Sequence, residues 1–406
     1  MSAQEPLVSV IIPVYNTAAY VKQTIESVLA QTWANKEIIV VNDGSTDETP
    51  SILIQFGNSI QVIHQENKGL GAARNTGIRA AQGDLIAFID ADDLWEPEFL
   101  ETQVTALTSN PDVDIVYCWW SYIDQYGNQL PQQDRFSKSG DLLQTLITSN
   151  RIPIMATLLR RKCVETTKGF DEDKLIIEDW DFWLRVAYQG YRFICTPKKL
   201  VKYRFHRNNM TLNIERSPLC YLNVIEKFFS NENLPEFAKE LRAEVYGQVF
   251  LNTTLNYLSC DNLEKANEYF VESIKYCPAL IFQVDTYYRI ICSSQPYGYK
   301  DTKEYLNLDH SEHQINQLIE AIFNESTVPG NKTISKRRAY ATAQSTLAEF
   351  YYKESRYDVS RKLLKLAIRN YPFILFSRQT ILLLVKAYLG QDKITNLKRF
   401  VYKLCR

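Results

Sequence analysis

The stretch Leu85-Ile86-Ala87-Phe88-Ile89-Asp90-Ala91-Asp92-Asp93 decides the fold and places the chemistry that the fold carries. Its first five residues are apolar and predict a buried strand. Three carboxylates follow within four positions, and carboxylates this close repel one another unless a cation compensates their charge. A divalent metal, which commonly also binds phosphates, would supply that cation. The alternative is a solvated acidic turn that caps a helix starting near Pro97.

Apolar strands and amphipathic helices alternate on both sides of this stretch. Strands are predicted at residues 8–12, 37–41, 60–63 and 85–89, and helices at 18–31, from 46 onward and at 71–81. Strands that are apolar throughout and separated by helices predict a parallel sheet covered on both faces. Further on we expect a strand at 113–122, a helix near 141–149, a strand near 156–160, a helix at 178–189 and a strand near 200–205. The sequence therefore predicts an α/β domain with a mostly parallel sheet at residues 1–213.

Residues 214–406 are predicted to form a second, all-α domain. Two segments follow the helix–turn–helix pattern of tetratricopeptide repeats, in which small and aromatic residues occupy fixed positions. Those positions hold Phe250, Tyr257, Ala266, Phe270, Ser273 and Pro278 in the first segment, and Leu347, Ala348, Tyr351, Ser360, Leu364, Ala367 and Pro372 in the second. The segments are 94 residues apart, which is not a multiple of about 34 residues. A generic helical bundle therefore remains the alternative.

The charge of the chain is unevenly distributed. The formal net charge is −1, but residues 331–406 hold 17 Lys and Arg against 4 Asp and Glu. This excess suggests an anionic partner, for which we predict a membrane surface and not nucleic acid, unless the outer face of a helical repeat is simply basic. The eight cysteines include no Cys-x-x-Cys pair, and no apolar run is long enough to span a bilayer. We therefore expect a cytoplasmic protein, peripheral at most at the inner face of the membrane.

Polar residues collect after the predicted strands, at the edge where open α/β sheets bind their ligands. Residues 13–16 follow the first strand, 42–47 the second, and Asp90 and Asp92 the fourth, while Arg74 lies early in the helix after the third. Each segment alone could be a turn, a helix cap or a surface cation. Their common position at one edge of the sheet predicts a single ligand site.

These motifs resemble the family 2 glycosyltransferases, inverting nucleotide-sugar enzymes of GT-A fold. The resemblance covers residues 6–210, and it is carried by residues 10–16, 41–47, 67–75, 88–93 and Glu178-Asp179. It implies a nucleotide-sugar donor, most simply a UDP-sugar, a glycan or lipid-linked acceptor, and Mn²⁺ or Mg²⁺ as cofactor. The chain has no glycine-rich phosphate motif after the first strand, which argues against a dinucleotide enzyme.

The resemblance also implies which residues hold the nucleotide. Pro13, Val14 and Tyr15 would form a wall for the nucleobase, with the Tyr15 ring as a stacking face. Asp43 would accept the imide hydrogen of uracil, and Arg74 would meet the nucleotide or its phosphates.

The acids after the fourth strand would serve the ribose and the metal. The resemblance places Asp90 near the ribose or the metal and makes Asp92 the principal metal ligand, with Asp93 able to share that task. His206 would complete the metal shell or contact the diphosphate, although a lone histidine is often structural. Imidazole suits Mn²⁺ better than Mg²⁺.

Asp179 matches the general base of the family, with Asp181 as the second choice. An inverting transfer needs one base on the acceptor hydroxyl and an electrophile on the departing diphosphate. The alternative is that these acids only complement the positive end of a helix. Four tryptophans could stack on sugars, although we expect at least two of them in the core: Trp119, Trp120, Trp180 and Trp183.

Two rival functions are open at this stage. A nucleotidyltransferase would also use a parallel sheet and paired acids, but it would normally carry a glycine-rich, basic loop where this chain has Pro13-Val14-Tyr15-Asn16. An adaptor built on the helical domain, with an inactive first domain, is the rival outside enzymology, and the intact acids speak against it.

Overall fold

The computed structural model describes residues 5–134, 136–173, 177–207, 209, 217–296, 298–300, 302–325 and 335–388. The chain divides into two compact units, Met1–Val245 and Tyr246–Arg406. The predicted domain boundary between residues 213 and 214 lies outside the described residues, and it stays a prediction.

The described part of the first unit contains a nine-stranded mixed sheet. The strands are β1 (Val8–Val14), β2 (Lys36–Asp43), β3 (Gln61–Gln65), β4 (Leu85–Phe88), β5 (Leu94–Trp95), β6 (Ile115–Ile123), β7 (Gln129–Asp134), β8 (Thr157–Arg160) and β9 (Phe193–Arg204). The helices are α1 (Val21–Leu29), α2 (Thr49–Ile54), α3 (Leu70–Ala80), α4 (Phe99–Thr108), α5 (Leu143–Thr148), α6 (Arg161–Thr166), α7 (Glu178–Tyr188), α8 (Ser217–Phe229) and α9 (Glu236–Glu240).

The sheet has a parallel half and a mixed half. Its strand order is β3-β2-β1-β4-β8-β6-β9-β5, with β7 beside β6. The strands β3, β2, β1 and β4 run parallel, whereas β8 runs antiparallel to both β4 and β6. The β1 strand is buried along its whole length, as expected for a parallel strand covered on both faces. The predicted α/β fold class is confirmed.

Strand β9 begins at Phe193, earlier than the predicted start near Leu200. The exposed run Pro197-Lys198-Lys199 interrupts the apolar pattern and hides the first part of the strand from a pattern analysis. The register with β6 shifts between Cys118 and Trp120. Such bulges accommodate a proline, which has no N–H to donate to the sheet.

The second unit is helical. After α10 (Arg242–Ser259), which spans the boundary, come α11 (Leu263–Tyr276), α12 (Val284–Ile291), α13 (Leu308–Asn324), α14 (Lys336–Lys353) and α15 (Tyr357–Asn370), and residues 378–388 are also helical. Within the described residues, no helix combines the length and the apolar character needed to cross a bilayer.

Both segments with the repeat pattern form helical hairpins, α10–α11 and α14–α15. Small residues at the fixed positions let the helices approach closely. The hydroxyl of buried Ser273 donates to the Gly247 carbonyl at 2.9 Å, and that of buried Ser360 donates to the Ala348 carbonyl at 2.8 Å. The predicted helical C-terminal region is confirmed.

Candidate active site

The loops after β1 and β2 are hydrogen-bonded to each other. The Asn16 N–H donates to Ser45 Oγ at 3.0 Å, and Asn16 Oδ1 accepts from the Thr46 N–H at 2.8 Å. Asp47 Oδ2 accepts from the Ala18 N–H at 3.0 Å. Asn16 has φ of 51°, a conformation that asparagine tolerates better than most residues. These motif residues therefore build the rim of the site.

The predicted nucleobase wall is only partly exposed. Pro13 and Val14 are buried in β1, whereas the Tyr15 side chain is 48% exposed. Its aromatic ring is thus available for stacking at the end of β1. The nucleobase contacts of all three residues stay predictions.

Asp43 is buried at the end of β2 and holds the segment that leads into α3. Its Oδ1 accepts from Gln65 Nε2 at 2.7 Å and from the Lys68 N–H at 2.9 Å, and its Oδ2 accepts from the Gly69 N–H at 2.8 Å. A carboxylate offers about four acceptor positions, so one remains for the predicted uracil contact.

Arg74 joins the end of β4 to the start of α7. Its guanidinium is 1% exposed and pairs with Asp90 Oδ1 at 2.7 Å and with Glu178 Oε1 at 2.6 Å. The predicted contact of Arg74 with the nucleotide stays a prediction, because here both of its terminal nitrogens serve these two acids. Burial raises the pKa of Asp90, Arg74 lowers it, and Asp92 raises it further.

Two glycines of α3 allow this helix to lie close to its neighbours. A Cβ on Gly71 would stand 2.1 Å from the Asp171 carbonyl oxygen, and one on Gly77 would stand 2.4 Å from Ile11 Cγ2 in β1. Both distances are far below van der Waals contact. Arg74 lies between the two glycines and is carried with the helix to the acids.

Asp92, two residues after Asp90, pairs with His206, which follows β9. Asp92 Oδ2 lies 2.9 Å from His206 Nε2, and both side chains keep some exposure. The imidazole stacks on Tyr20 with centroids 4.7 Å apart. Arg204 donates from Nε to the Asp92 carbonyl at 2.7 Å, and its guanidinium lies 5.0 Å from the Tyr20 ring centroid. Sequence reasoning assigned no role to Tyr20 or to Arg204, because neither lies in an acidic motif.

This pair fits a divalent cation. Asp92 Oδ2 and His206 Nε2 are hydrogen-bonded to each other at 2.9 Å, and a carboxylate oxygen beside an imidazole nitrogen is a donor set that suits such an ion. Among the described residues, no group of three or more His, Cys, Asp or Glu side chains could hold a metal. Asp92 and His206 would thus leave positions for phosphate oxygens and water, as Mg²⁺ and Mn²⁺ sites in phosphate-handling enzymes do.

Asp93 points into the protein and not toward this pair. It is fully buried, and its Oδ1 accepts from the Arg204 N–H at 2.8 Å. Burial raises its pKa well above the usual range, and Asp92 and Asp90 add to the rise. This hydrogen bond connects the end of β9 to the turn that holds Asp90, Asp92 and Asp93.

Asp179 lies in the first turn of α7, next to the ion pair of Glu178. The pKa of Asp179 is raised to about 7, mainly by burial and also by Glu178, although Arg74 and a hydrogen bond from the Asn150 side chain act to lower it. A group with a pKa near neutrality is well placed to accept a proton at physiological pH.

Asp181, two residues further along α7, is committed to cations. Its Oδ2 accepts from Arg185 Nε at 2.8 Å, and its Oδ1 lies 2.7 Å from Lys227 Nζ of α8. Lys227 also pairs with Asp171. Sequence reasoning missed Lys227, because nothing in the local pattern connects α8 with α7.

Three of the four tryptophans are core residues. Trp120, Trp180 and Trp183 are buried. The indole N–H groups of Trp180 and Trp183 donate to the carbonyls of Leu146 and Ile152 at 2.7 and 2.8 Å. The expectation that at least two of the four lie in the core is confirmed.

The sequence of this chain is similar to that of known glycosyltransferases. The family model of Glycosyl transferase family 2 matches residues 9–166. An uncharacterized glycosyltransferase of Rickettsia typhi is 40% identical over 243 residues, which cover 56% of this chain and 74% of the relative. One of Methanocaldococcus jannaschii is 28% identical over 239 residues, covering 56% and 81%.

The relatives differ in length. The chain spans 39% to 74% of the length of five Rickettsia relatives. Among solved structures, S. aureus TarS 1-349 in complex with UDP-GlcNAc superposes with a TM-score of 0.51 at 17% identity, covering 86% of this chain and 92% of TarS 1-349. At this identity the likeness concerns the fold alone.

Proposed function

The chain belongs to glycosyl transferase family 2, and we propose that it is an inverting, metal-dependent enzyme. It would move a sugar from a nucleoside diphosphate donor to a hydroxyl of a glycan or lipid-linked acceptor. The cytoplasmic location expected from the sequence is part of this proposal.

The observation that carries the proposal is the pair of ion pairs that Arg74 forms with Asp90 and Glu178. One buried guanidinium connects the acidic turn after β4 with the first turn of α7, at distances of 2.7 and 2.6 Å. The Asp92–His206 pair follows Asp90 on one side, and Asp179 follows Glu178 on the other. Asp92, of the proposed diphosphate site, and Asp179, the candidate base, are thus close neighbours in sequence of the two acids that Arg74 connects.

Asp179 is the general base in this mechanism. Its carboxylate accepts the proton of the acceptor hydroxyl while the hydroxyl oxygen forms a bond to the anomeric carbon. The bond between that carbon and the diphosphate oxygen breaks, and its electron pair leaves with the nucleoside diphosphate. Because attack and departure occur on opposite faces, the configuration inverts.

Asp92 and His206 are the residues that would hold Mn²⁺ or Mg²⁺. When bound, the cation offsets negative charge that develops on the leaving diphosphate. Arg74 fixes Asp90 and Glu178 beside the reacting groups, and Tyr15 offers its exposed ring to the nucleobase.

A UDP-sugar is the simplest donor. Asp43 keeps one acceptor position that suits the imide N–H of uracil. The TarS complex contains UDP-GlcNAc, which makes that compound the first donor to test.

The test is nucleotide release from a panel of UDP-, GDP-, CDP- and dTDP-sugars with Mn²⁺ or Mg²⁺. We expect release from one donor, its loss on chelation, and its loss in Asp92→Ala and Asp179→Asn. Asp112→Asn, an exposed carboxylate in the same unit, is the matched control and should behave like the wild type. Release that persists in Asp179→Asn, or that is insensitive to chelator, would contradict the mechanism.

A further inference from the structure

One end of the second unit carries many cations and few acids. Between residues 335 and 388 there are eleven Lys and Arg residues against three Asp and Glu residues. Six of these cations lie in 361–386, where the sequence has no acid: Arg361, Lys362, Lys365, Arg369, Arg378 and Lys386. No carboxylate in the described part of the chain forms an ion pair with any of the six. Their positive charge is therefore not neutralised locally.

The same segment exposes large apolar side chains. Phe376 is 84% exposed and Phe373 is 62% exposed, and the two rings stack with centroids 6.0 Å apart. Leu382 is 52% exposed in the helix at 378–388. A cluster of exposed aromatic and aliphatic groups within so short a segment marks an interaction site.

The helix at 378–388 is apolar on both of its faces. Leu383 and Ala387 are buried against the unit, while Leu382 and Val385 are exposed. A helix that carries exposed apolar side chains together with cations, here Arg378 and Lys386, is typical of segments that lie against a lipid surface. Its outer face has no such cover in the described structure.

One contact brings α15, which carries several of these cations, near the last described helix. Lys362, Lys365 and Arg369 are exposed and are spaced three and four residues apart along α15, so they share one helix face. The Arg361 guanidinium lies 5.9 Å from the ring centroid of Tyr388, which brings α15 next to the last described helix. We name as the C-terminal surface the residues Lys362, Lys365, Arg369, Phe376, Leu382 and Val385.

We propose that the C-terminal surface binds a lipid bilayer that contains anionic lipids. The lysines and the arginine meet the headgroups, and the exposed phenylalanine, leucine and valine enter the interface. A second copy of the chain is a poorer occupant, because pairing of two such surfaces would oppose like charges. Nucleic acid would neutralise the cations but leave the aliphatic face without a partner.

This inference goes beyond the transfer reaction and does not depend on it. The C-terminal surface belongs to the second unit, and the proposed catalytic residues belong to the first. Lipid binding and donor turnover can therefore fail separately.

The test is co-sedimentation of the full chain with unilamellar vesicles. One set contains phosphatidylcholine alone, and the other contains phosphatidylcholine with one third phosphatidylglycerol. We expect binding to the anionic vesicles only, with loss at high salt. Lys362→Glu with Lys365→Glu should lower the partition coefficient at least about 25-fold, since each cation contributes a factor of roughly five. Phe376→Ser with Leu382→Ser should also lower it.

Matched controls separate this surface from net charge and general hydrophobicity. Lys265→Glu with Lys303→Glu changes two exposed lysines elsewhere in the unit, and Tyr305→Ser removes another exposed ring. Both should bind as the wild type does.

Equal loss of binding in the controls would overturn the proposal, as would equal binding to neutral vesicles. Dimerisation abolished by Phe376→Ser with Leu382→Ser, without lipid binding, would assign the surface to a second copy instead. Unchanged far-UV circular dichroism and an unchanged thermal unfolding midpoint in all variants would show that they are folded.

Discussion

Asp179 and Asp181 lie two residues apart on α7, yet their surroundings differ completely. Asp181 is buried between Arg185 and Lys227 at 2.8 and 2.7 Å, so its charge is compensated and both of its oxygens are engaged. Asp179 is influenced by Arg74, but burial and Glu178 prevail and its pKa rises to about 7. Two aspartates of one helix can thus have different roles, because the role of each depends on the cations that its carboxylate contacts. Asp181, the second choice for the base, has the setting of a structural residue.

The strongest test of this contrast is the loss of the Asp179 carboxylate. Asp179→Asn keeps the shape of the side chain but cannot accept a proton, so we expect kcat to fall about 10²–10⁴-fold. The KM for the donor should change little. Steady-state kinetics with the donor identified from the panel measure both. A fall in kcat below tenfold would show that another group is the base.

Arg74→Met should affect both acids that it holds. Removing a buried partner leaves two carboxylates close together, and we expect a loss of about 3 kcal/mol in the free energy of unfolding. Arg74 also lowers the pKa of Asp179, so the acid limb of the pH profile should move to higher pH. Denaturant unfolding and the pH dependence of kcat/KM check the two effects. If the acid limb does not move, Arg74 does not influence the pKa of the catalytic base.

The pH profile of the wild type distinguishes the two acids of α7. The base must be ionised, and the pKa of Asp179 is raised to about 7. kcat/KM should therefore fall as pH drops below about 7, approaching tenfold per pH unit. Asp181→Asn should retain this limb if it remains active. A limb near pH 4 would mean that the raised pKa does not govern catalysis.

Asp181→Asn should act mainly on stability. It removes a buried charge from two cations that remain partly exposed, so we expect a loss of about 1–3 kcal/mol. Lys227→Met should lose less, below about 1 kcal/mol, because Lys227 is 41% exposed and solvent screens its charge. Thermal unfolding measures both variants. A larger loss of stability in Lys227→Met than in Asp181→Asn would contradict the view that Asp181 is the more important member of this ion pair.

The strands of the parallel half were predictable, because a strand buried on both faces is apolar throughout. The edge position of Asp43, Asp90 and Asp92 followed from this, since ligands of open α/β sheets bind beyond the carboxyl ends of strands. The first part of β9 was not predictable, because Pro197 and two lysines interrupt it and a bulge compensates.

Long-range partners set the finer properties of the site. Lys227 reaches Asp181 from 46 residues away, and Arg204 reaches the Asp92 carbonyl from 112 residues away. Neither contact leaves a local pattern in the sequence. The inward orientation of Asp93 also depends on such a contact, because its partner is the Arg204 N–H.

The two close-packed glycines of α3 bear on how freely this helix could diverge. A methyl group at Gly71 or Gly77 would overlap a carbonyl oxygen or an isoleucine methyl group, and backbone on both sides would have to shift. Arg79, in the same helix, is exposed and has room for replacement. A saturation scan of α3 should therefore find that Gly71 and Gly77 reject even alanine, whereas Arg79 accepts most residues.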